Sequence, residues 1–386
     1  MIERVIILGG YVNALGVARQ AGKMGLHVTI VTKRGSNLAC HSKYVKQHYY
    51  FSTDEELDEI LRQNAQFGTM LYPTGDQYVE YLDKNRDWLE KKYYLAIPSS
   101  EVIQLFAEKS NSYRFAEQHK IPYPRSFYMD TEGKIANADK LTYPVVLKPS
   151  VMYDFREKFG KKAYICESAT ELKEKCEFVK RAGYPLDKMI AQEFMNGGPA
   201  CLYSVGLFAV NGEIRKQIQV NRIRQRPMVL GNSTTYCISS NIKQLYEYAE
   251  KIVRLTNYTG VAEIEFMYHN GEYKFLEVNM RSWKWHTISN MYGFSFLGEW
   301  VNYLNNKESN VGSKEENAAW VERITDMTVS ISEILHGRMS FWDYAKSYCR
   351  RKEYAVWSWA DMRPAIVYPM QILKNIFNKR RKRTEE

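Results

Sequence analysis

Gly260-Val261-Ala262-Glu263-Ile264-Glu265-Phe266-Met267-Tyr268-His269-Asn270-Gly271-Glu272-Tyr273-Lys274-Phe275-Leu276-Glu277-Val278-Asn279-Met280-Arg281 is the stretch that decides the fold. Two runs rich in β-branched, aromatic and aliphatic residues flank Asn270-Gly271, a dipeptide that marks a hairpin turn. Side chains alternate between the faces of a strand, so Ile264, Phe266, Leu276 and Val278 fall on apolar faces. Glu263 and Glu265 share one face of the first strand, and Glu277, Asn279 and Arg281 share one face of the second. Whether the two sets meet depends on the loop. A two-residue turn sets Glu265 opposite Leu276 and points Glu277 away. A three-residue loop, His269-Asn270-Gly271 with Gly271 left-handed, sets Glu265 opposite Phe275 and leaves Glu277 a diagonal neighbour within roughly 8 Å. The three-residue loop is the expectation, because it gathers two carboxylates and an amide oxygen on one face. Like charges brought together need a cation between them. Oxygen-only ligands suit magnesium, which binds through one or two carboxylates plus substrate phosphates. The plainer alternative is a solvated sheet face with scattered charge.

Upstream, residues 5–8 read as a buried strand, Gly9-Gly10 as a turn, 13–24 as a helix and 27–31 as a second strand. That β-α-β opening predicts a parallel sheet covered by helices, with residues 70–73 as a further strand before the loop Thr74-Gly75-Asp76. The first turn is not Gly-x-Gly-x-x-Gly, and the second strand runs into Thr32-Lys33-Arg34 with no acid, so a dinucleotide site is set aside. From about residue 101 the pattern becomes α+β. Strands are expected at 143–148, 189–194, 203–210, 213–220, 261–268 and 272–278, and helices at 170–182 and 245–256. Beyond 300 the chain reads as largely helical and aromatic. The segments implied are 1–100, 101–305 and 306–386.

The chain has 386 residues, enough for two or three packed units, with 45% apolar and 25% charged residues. Cys40, Cys166, Cys176, Cys201, Cys237 and Cys349 form no close pairs, which argues against a zinc or redox Cys-x-x-Cys site and suits a reducing compartment. The apolar run after Met1 is too short for a signal peptide, and no stretch is long and apolar enough to span a bilayer, so a cytoplasmic protein is expected. The net charge is +10, concentrated toward the tail. An aromatic-basic face of the kind that binds nucleic acid is not evident, so no nucleic-acid partner is expected.

Glu265-Phe266 followed by Phe275-Leu276-Glu277-Val278-Asn279-Met280-Arg281 resembles the metal-binding hairpin of ATP-grasp enzymes, the group of biotin carboxylase and D-alanine–D-alanine ligase. The resemblance covers about residues 1–300. It implies a parallel-sheet α/β unit, an α+β ATP-grasp domain of two antiparallel-sheet subdomains, and here a helical C-terminal extension. It further implies that Glu265, Glu277 and Asn279 hold magnesium, or manganese, against ATP, and that Arg281 faces the reacting oxyanion. Lys148 ends a buried strand, where a lysine is unfavourable unless it meets an anion, and it matches the family's phosphate-binding lysine. Lys109 matches a second such lysine on a helix. Gln192-Glu193-Phe194-Met195-Asn196-Gly197-Gly198 resembles the hinge that reads adenine, with Glu193 toward the exocyclic amine. Pro199-Ala200 stands where many members carry an acid for the ribose. The loop 150–162 takes the place of the phosphate-covering loop, with only Gly160 among its residues. Arg222, Arg224 and Arg226 alternate after a strand, and one of them matches a basic residue near the acyl phosphate, with Arg222 and Arg224 the first candidates.

The activity these residues imply is ATP-dependent joining of a carboxylate to an amine through an acyl phosphate. The arrangement is most similar to the D-aspartate ligase-like branch and to ATP-grasp enzymes of cell-surface polysaccharide clusters. The alternatives are a carboxylase using bicarbonate and a non-catalytic nucleotide-binding protein. A homodimer is among the expected assemblies. Ile366, Val367, Met370, Leu373, Ile376 and Phe377 recur at near-helical spacing before Lys379-Arg380-Arg381-Lys382-Arg383. This pattern predicts peripheral contact with an anionic inner membrane surface, on a helix that Pro369 forces to begin after it. The competing reading is a packed helix with a solvated basic tail.

Overall fold

The computed structural model describes residues 1–35, 37–150, 155, 158–229, 231, 233–308 and 317–384, with 374–384 as backbone. Two compact units divide the chain: Met1–Ser99, Ser204–Glu263 and Asn279–Glu386 form unit 1, and Ser100–Tyr203 with Ile264–Val278 form unit 2. Of the expected segments, 1–100 ends at a unit edge, whereas 101–305 is shared between the two.

Unit 1 opens with β1 (Arg4–Leu8), α1 (Val12–Lys23), β2 (His27–Lys33), β3 (Val45–Phe51), α2 (Asp54–Gln63), β4 (Thr69–Pro73), α3 (Asp76–Lys84), α4 (Arg86–Leu89) and β5 (Tyr94–Leu95). The strands form one sheet in the order β3-β2-β1-β4-β5, with every pair parallel. Strands β1 and β4 are covered on both faces, which is why their sequences are continuous apolar runs rather than alternating ones. Gly9 follows β1 at φ +117°, and a Cβ there would lie 2.1 Å from Thr74 Oγ1. The Thr74 hydroxyl uses that space to donate to Leu8 O at 2.8 Å.

Unit 2 contains α5 (Ser100–Ala107), α6 (Lys109–Gln118), β6 (Ser126–Tyr128), β7 (Val145–Pro149), β8 (Tyr164–Cys166), α7 (Ala169–Arg181) and β9 (Met189–Glu193). Its sheet runs β6-β9-β7-β8, all antiparallel. Leu172, Cys176 and Val179 on one face of α7 join Val145, Leu147 and Ala191 in the core. Of the expected phosphate-covering loop, residues 151–154 and 156–157 lie outside the described residues.

The remaining elements are β10 (Leu202–Val210), β11 (Glu213–Arg226), β12 (Ser233–Ser239), α8 (Lys243–Leu255), β13 (Gly260–His269), β14 (Glu272–Asn279), α9 (Phe296–Leu304), β15 (Ala319–Val321), α10 (Arg323–Leu335), α11 (Phe341–Ser347), β16 (Lys352–Tyr354) and α12 (Arg363–Thr384). They supply a seven-stranded sheet in the order β14-β13-β10-β11-β12-β15-β16. The segment beyond 300 is helical as expected, and it also adds β15 and β16 to the sheet edge.

Three local expectations are corrected. The turn between β13 and β14 has two residues, not three: Asn270 (φ 51°) and Gly271 (φ 83°) are both left-handed while His269 stays in its strand. Asparagine tolerates that conformation, and the resulting turn matches the twist of paired strands. Phe266 faces Phe275 at 6.2 Å and Tyr268 faces Tyr273 at 4.8 Å between ring centroids, as this register requires. Strict alternation from that turn puts Glu277 on the Phe266 side and Glu265 on the Leu276 side, so the register argument for convergent carboxylates does not hold. Secondly, β11 continues to Arg226 with register shifts around Arg224, and the alternation expected of the three arginines breaks there. Arg222 and Arg224 are buried and Arg226 is exposed. Thirdly, α12 begins at Arg363 and carries Pro369 inside it. A proline in the second turn removes only one backbone donor, and Tyr368 beside it is buried against Tyr11 and donates to Glu322. That packing fixes the start of the helix.

Arg224 illustrates how α10 is held to the sheet. Its Nε and Nη2 donate to Asp326 Oδ1 and Oδ2, each at 2.8 Å, over the ring of Tyr236 at 4.1 Å. Thr235 Oγ1 adds a bond to Asp326 at 3.0 Å, and both charges are buried. Asp326→Ala would leave a buried guanidinium without its carboxylate, and the expected loss of stability is about 3–5 kcal/mol, read from the urea midpoint. A loss below about 1 kcal/mol would show that the pair behaves like a surface ion pair.

Candidate active site

In unit 2, the site grows from the end of β14. Glu277 accepts a hydrogen bond from Lys109 Nζ at 2.8 Å. The Lys109 charge holds the Glu277 carboxyl well below its usual range, at about 2, against the opposing effect of burial, and Lys162 and Lys148 lower it further. Lys109 is the first residue of α6, and its backbone N–H donates to Ser150 O at 3.2 Å, which ties the helix start to the end of β7. Lys148 Nζ donates to Gln192 Oε1 at 2.7 Å and to the Tyr113 hydroxyl at 3.2 Å. Gln192 in turn donates to Ser126 Oγ at 2.7 Å, which fixes the orientation of its amide. Three lysines therefore surround one carboxylate. Such an excess of positive charge suits a polyanion.

The expected adenine hinge lies at the end of β9. Gln192 is committed to Lys148, while Glu193 Oε1 accepts from Arg125 N–H at 2.8 Å and pairs with Lys274. Phe194 and Met195 follow as half-buried residues, and Phe194 N–H donates to Pro144 O at 3.3 Å. Gly197 and Gly198 then take positive φ. The sequence reading missed Lys274, for which the only signal was a basic residue between two aromatics, Tyr273 and Phe275.

In unit 1, Glu263 is buried, accepting from Trp285 Nε1 at 2.6 Å and from Asn279 Nδ2 at 3.2 Å. Arg281 Nη2 donates to Asn279 Oδ1 at 3.0 Å and to Asp76 Oδ2 at 3.0 Å. Asn279 thus links a buried acid to Arg281. Asn13 Nδ2 donates to Thr74 O at 2.6 Å and to Ser282 O at 3.4 Å, joining the first turn of α1 to the chain after Arg281. Lys284 pairs with buried Glu322 and donates to Ser233 Oγ at 2.7 Å. Burial pushes its ammonium down to about 7, and the charges of Arg226 and Arg222 add to that. Arg222 therefore belongs to a cationic group with Lys284, whereas Arg224 is turned to Asp326. Sequence reasoning missed Glu263, Asp76, Lys284 and Glu322, whose partners lie far along the chain.

The donor chemistry fits magnesium: Glu277 is an ionised hard-oxygen donor, and Asn279 offers an amide oxygen two residues along β14. Glu265 is half-buried on β13. Among the described residues, no group of three or more His, Cys, Asp or Glu side chains forms a ready-made metal cage.

Residues 106–283 match the ATP-grasp domain. No curated relative matches the chain by sequence. Among solved structures, an ADP complex of the N5-carboxyaminoimidazole ribonucleotide synthetase PurK is similar with a TM-score of 0.65 at 16% identity, over 87% of this chain and 85% of that one. The biotin carboxylase domain of Hydrogenobacter thermophilus 2-oxoglutarate carboxylase, in complex with MgADP, ADP and bicarbonate, is similar with a TM-score of 0.62 at 17% identity, over 81% of this chain and 72% of that one. L-amino acid ligase from Bacillus licheniformis is similar with a TM-score of 0.57 at 15% identity, over 77% and 72% respectively. Identities at this level speak for a shared fold. Residues 106–283 of the chain form a domain of the ATP-grasp family.

Proposed function

We propose that the chain is a ligase that activates a carboxylate with ATP and joins it to an amine, releasing ADP and phosphate. The observation that carries this reading is the Glu277 carboxylate held among Lys109, Lys148 and Lys162. Magnesium, if held by Glu277 and Asn279, would supply charge neutralisation at the transferred phosphoryl group, while Glu265 lies on the other strand face by alternation and is left out of that ligand set. Lys148 has neutral hydrogen-bond partners in Gln192 and Tyr113 and can exchange them for phosphate oxygens without stranding a carboxylate. Lys109, beside Glu277, would hold a phosphate oxygen. Arg281, oriented by Asn279 and Asp76, is the donor for the oxyanion of the tetrahedral intermediate. Arg222, beside Lys284, is the stronger candidate of the arginine set for a substrate carboxylate, since Arg224 is already held by Asp326.

A second reading takes bicarbonate as the carboxylate, and it is supported by the likeness to the biotin carboxylase domain bound to that anion. Release of ADP with a panel of amino acids and sugar acids, against bicarbonate alone, separates the two. We infer further that the acceptor is a cell-wall or glycan building block presented at a membrane. No helix among the described residues is long and apolar enough to cross a bilayer. However, Ile366, Met370 and Leu373 occupy one exposed side of α12, at 63%, 65% and 54% exposure. The helix backbone runs on through the basic residues 379–383. An apolar stripe followed by a cationic run complements an anionic lipid surface.

Glu277→Ala is expected to abolish ADP formation while the circular dichroism spectrum is kept. Ordinary turnover by that variant at ordinary magnesium would remove Glu277 from the site. Lys148→Ala should weaken ATP binding by about tenfold or more in calorimetry, the loss of one charge-assisted phosphate contact. An unchanged Kd would leave Lys148 a packing residue. In sedimentation with anionic liposomes, the full chain should pellet at low salt and be released at high salt. A chain ending at Leu373, which keeps the buried Tyr368, should pellet less. Equal and negligible binding by both would end the membrane reading.

A further inference from the structure

A second cleft in unit 1, of about 460 Å³, lies between one face of α1 and the chain on either side of β16. Its size is within the usual range for a small-molecule site. Gly16, Arg19, Gln20 and Lys23 recur at the spacing of one helix face and form one wall. Arg323, Lys352, Glu353, Tyr354, Trp357 and Trp359 supply the other. None of these residues serves the ATP-grasp chemistry.

The walls are built rather than incidental. Arg19 Nε donates to Asp361 Oδ2 at 2.9 Å, and its Nη2 donates to Val356 O at 2.8 Å and to Asp361 O at 2.9 Å. Asp361 is itself held by Ser42 Oγ at 2.7 Å and Lys43 N–H at 2.9 Å. Gln20 Nε2 donates to Asn290 Oδ1 at 2.9 Å, and Asn290 Nδ2 donates to Glu353 Oε1 at 2.8 Å. Burial raises the Glu353 carboxyl above its ordinary value. Lys352 Nζ rests on two carbonyls, Tyr348 O and Arg350 O, each at 2.6 Å, so its charge meets no carboxylate there. Lys23 and Arg323 are exposed and form no ion pair among the described residues. The fixed balance at the mouth is three cations, Lys23, Arg323 and Lys352, against the single acid Glu353.

Beside these cations stand two indoles. Trp357 and Trp359 meet edge to face at 5.2 Å, and Trp359 is 82% exposed. A tryptophan left open to water at a cleft forgoes burial that the fold could have given it. Cations on both walls and an open aromatic face beside them match a ligand with an anionic group attached to a ring. We propose that this cleft binds a phosphorylated ring compound, its phosphate toward Lys23 and Arg323 and its ring against Trp359. The proposal is separate from the ligase reading, since it uses other residues and another part of unit 1.

The test is a binding titration followed by tryptophan fluorescence and calorimetry. The probes are a glucose monophosphate, unphosphorylated glucose, inorganic phosphate, and AMP added to protein already saturated with MgADP. Saturable binding of glucose monophosphate is expected, tighter than either half of the molecule alone. Lys23→Ala/Arg323→Ala should weaken it by about tenfold or more while the melting temperature stays unchanged. Trp359→Phe should remove most of the fluorescence change. If AMP binds and glucose monophosphate does not, with the same loss in the double variant, the class stands and the ring is a nucleobase. If inorganic phosphate binds as tightly as both, the ring contact is wrong. The absence of saturable binding by any phosphorylated probe, or equal binding by the double variant, would overturn the proposal.

Discussion

An ionised carboxylate enclosed by lysines is the constraint around which unit 2 is arranged. Glu277 stays deprotonated because Lys109 touches it and Lys162 and Lys148 stand nearby. Each lysine is delivered by a different element: Lys109 by the first residue of α6, Lys148 by the end of β7, and Lys162 by the chain before β8. The β9 strand then completes the arrangement, with Gln192 turning its amide oxygen to Lys148 and its amide nitrogen to Ser126. The antiparallel order β6-β9-β7-β8 brings these strand ends side by side. The fold thus gathers Lys109 on Glu277 and Lys148 on the neutral Gln192 and Tyr113.

Unit 1 handles charge in the opposite manner, by burying it fully paired. Arg224 with Asp326 and Arg19 with Asp361 are buried ion pairs, and buried Glu263 accepts from Trp285 and Asn279. Removing one member leaves the other desolvated and uncompensated, so such networks resist drift of the elements they join. Lys284 is the intermediate case. It has a buried acid in Glu322, yet burial first, and the charges of Arg226 and Arg222 after it, bring its ammonium down to about 7. The contrast separates groups that hold the scaffold from groups that can change partners.

Much of this was legible in the residues, and the failures share a cause. Strands β1, β2, β4, β10, β13 and β14 and helices α1, α7 and α8 announce themselves by apolar periodicity and by Gly or Asn-Gly at their ends. Strand β3, reading Val45-Lys46-Gln47-His48-Tyr49-Tyr50-Phe51, lies at a sheet edge and so lacks the apolar run that marks its neighbours. β15 and β16 have three residues each, too few for any period to show. The Asn270-Gly271 turn was visible but the length of its loop was not, because both loop lengths accept the same dipeptide and differ only in whether His269 remains paired. The candidate lysines and Glu277 could be picked out by their company in sequence. The partners that fix Glu263, Arg224 and Lys284 could not, since Trp285, Asp326 and Glu322 come from elements tens of residues away and carry no local signal.

The anchoring of Tyr368 has a mechanical consequence. A helix whose second turn is locked into the core, and which then continues as one rod, cannot behave as a string. The 22 residues of α12 span roughly 33 Å at the rise of an α-helix. A flexible tail of equal length would let its charged end sample every direction around the protein. The rod instead sets a standoff, so that whatever surface the far end touches is met at one distance and one attitude. Geometry of that kind selects among surfaces by where they lie as well as by what they are made of.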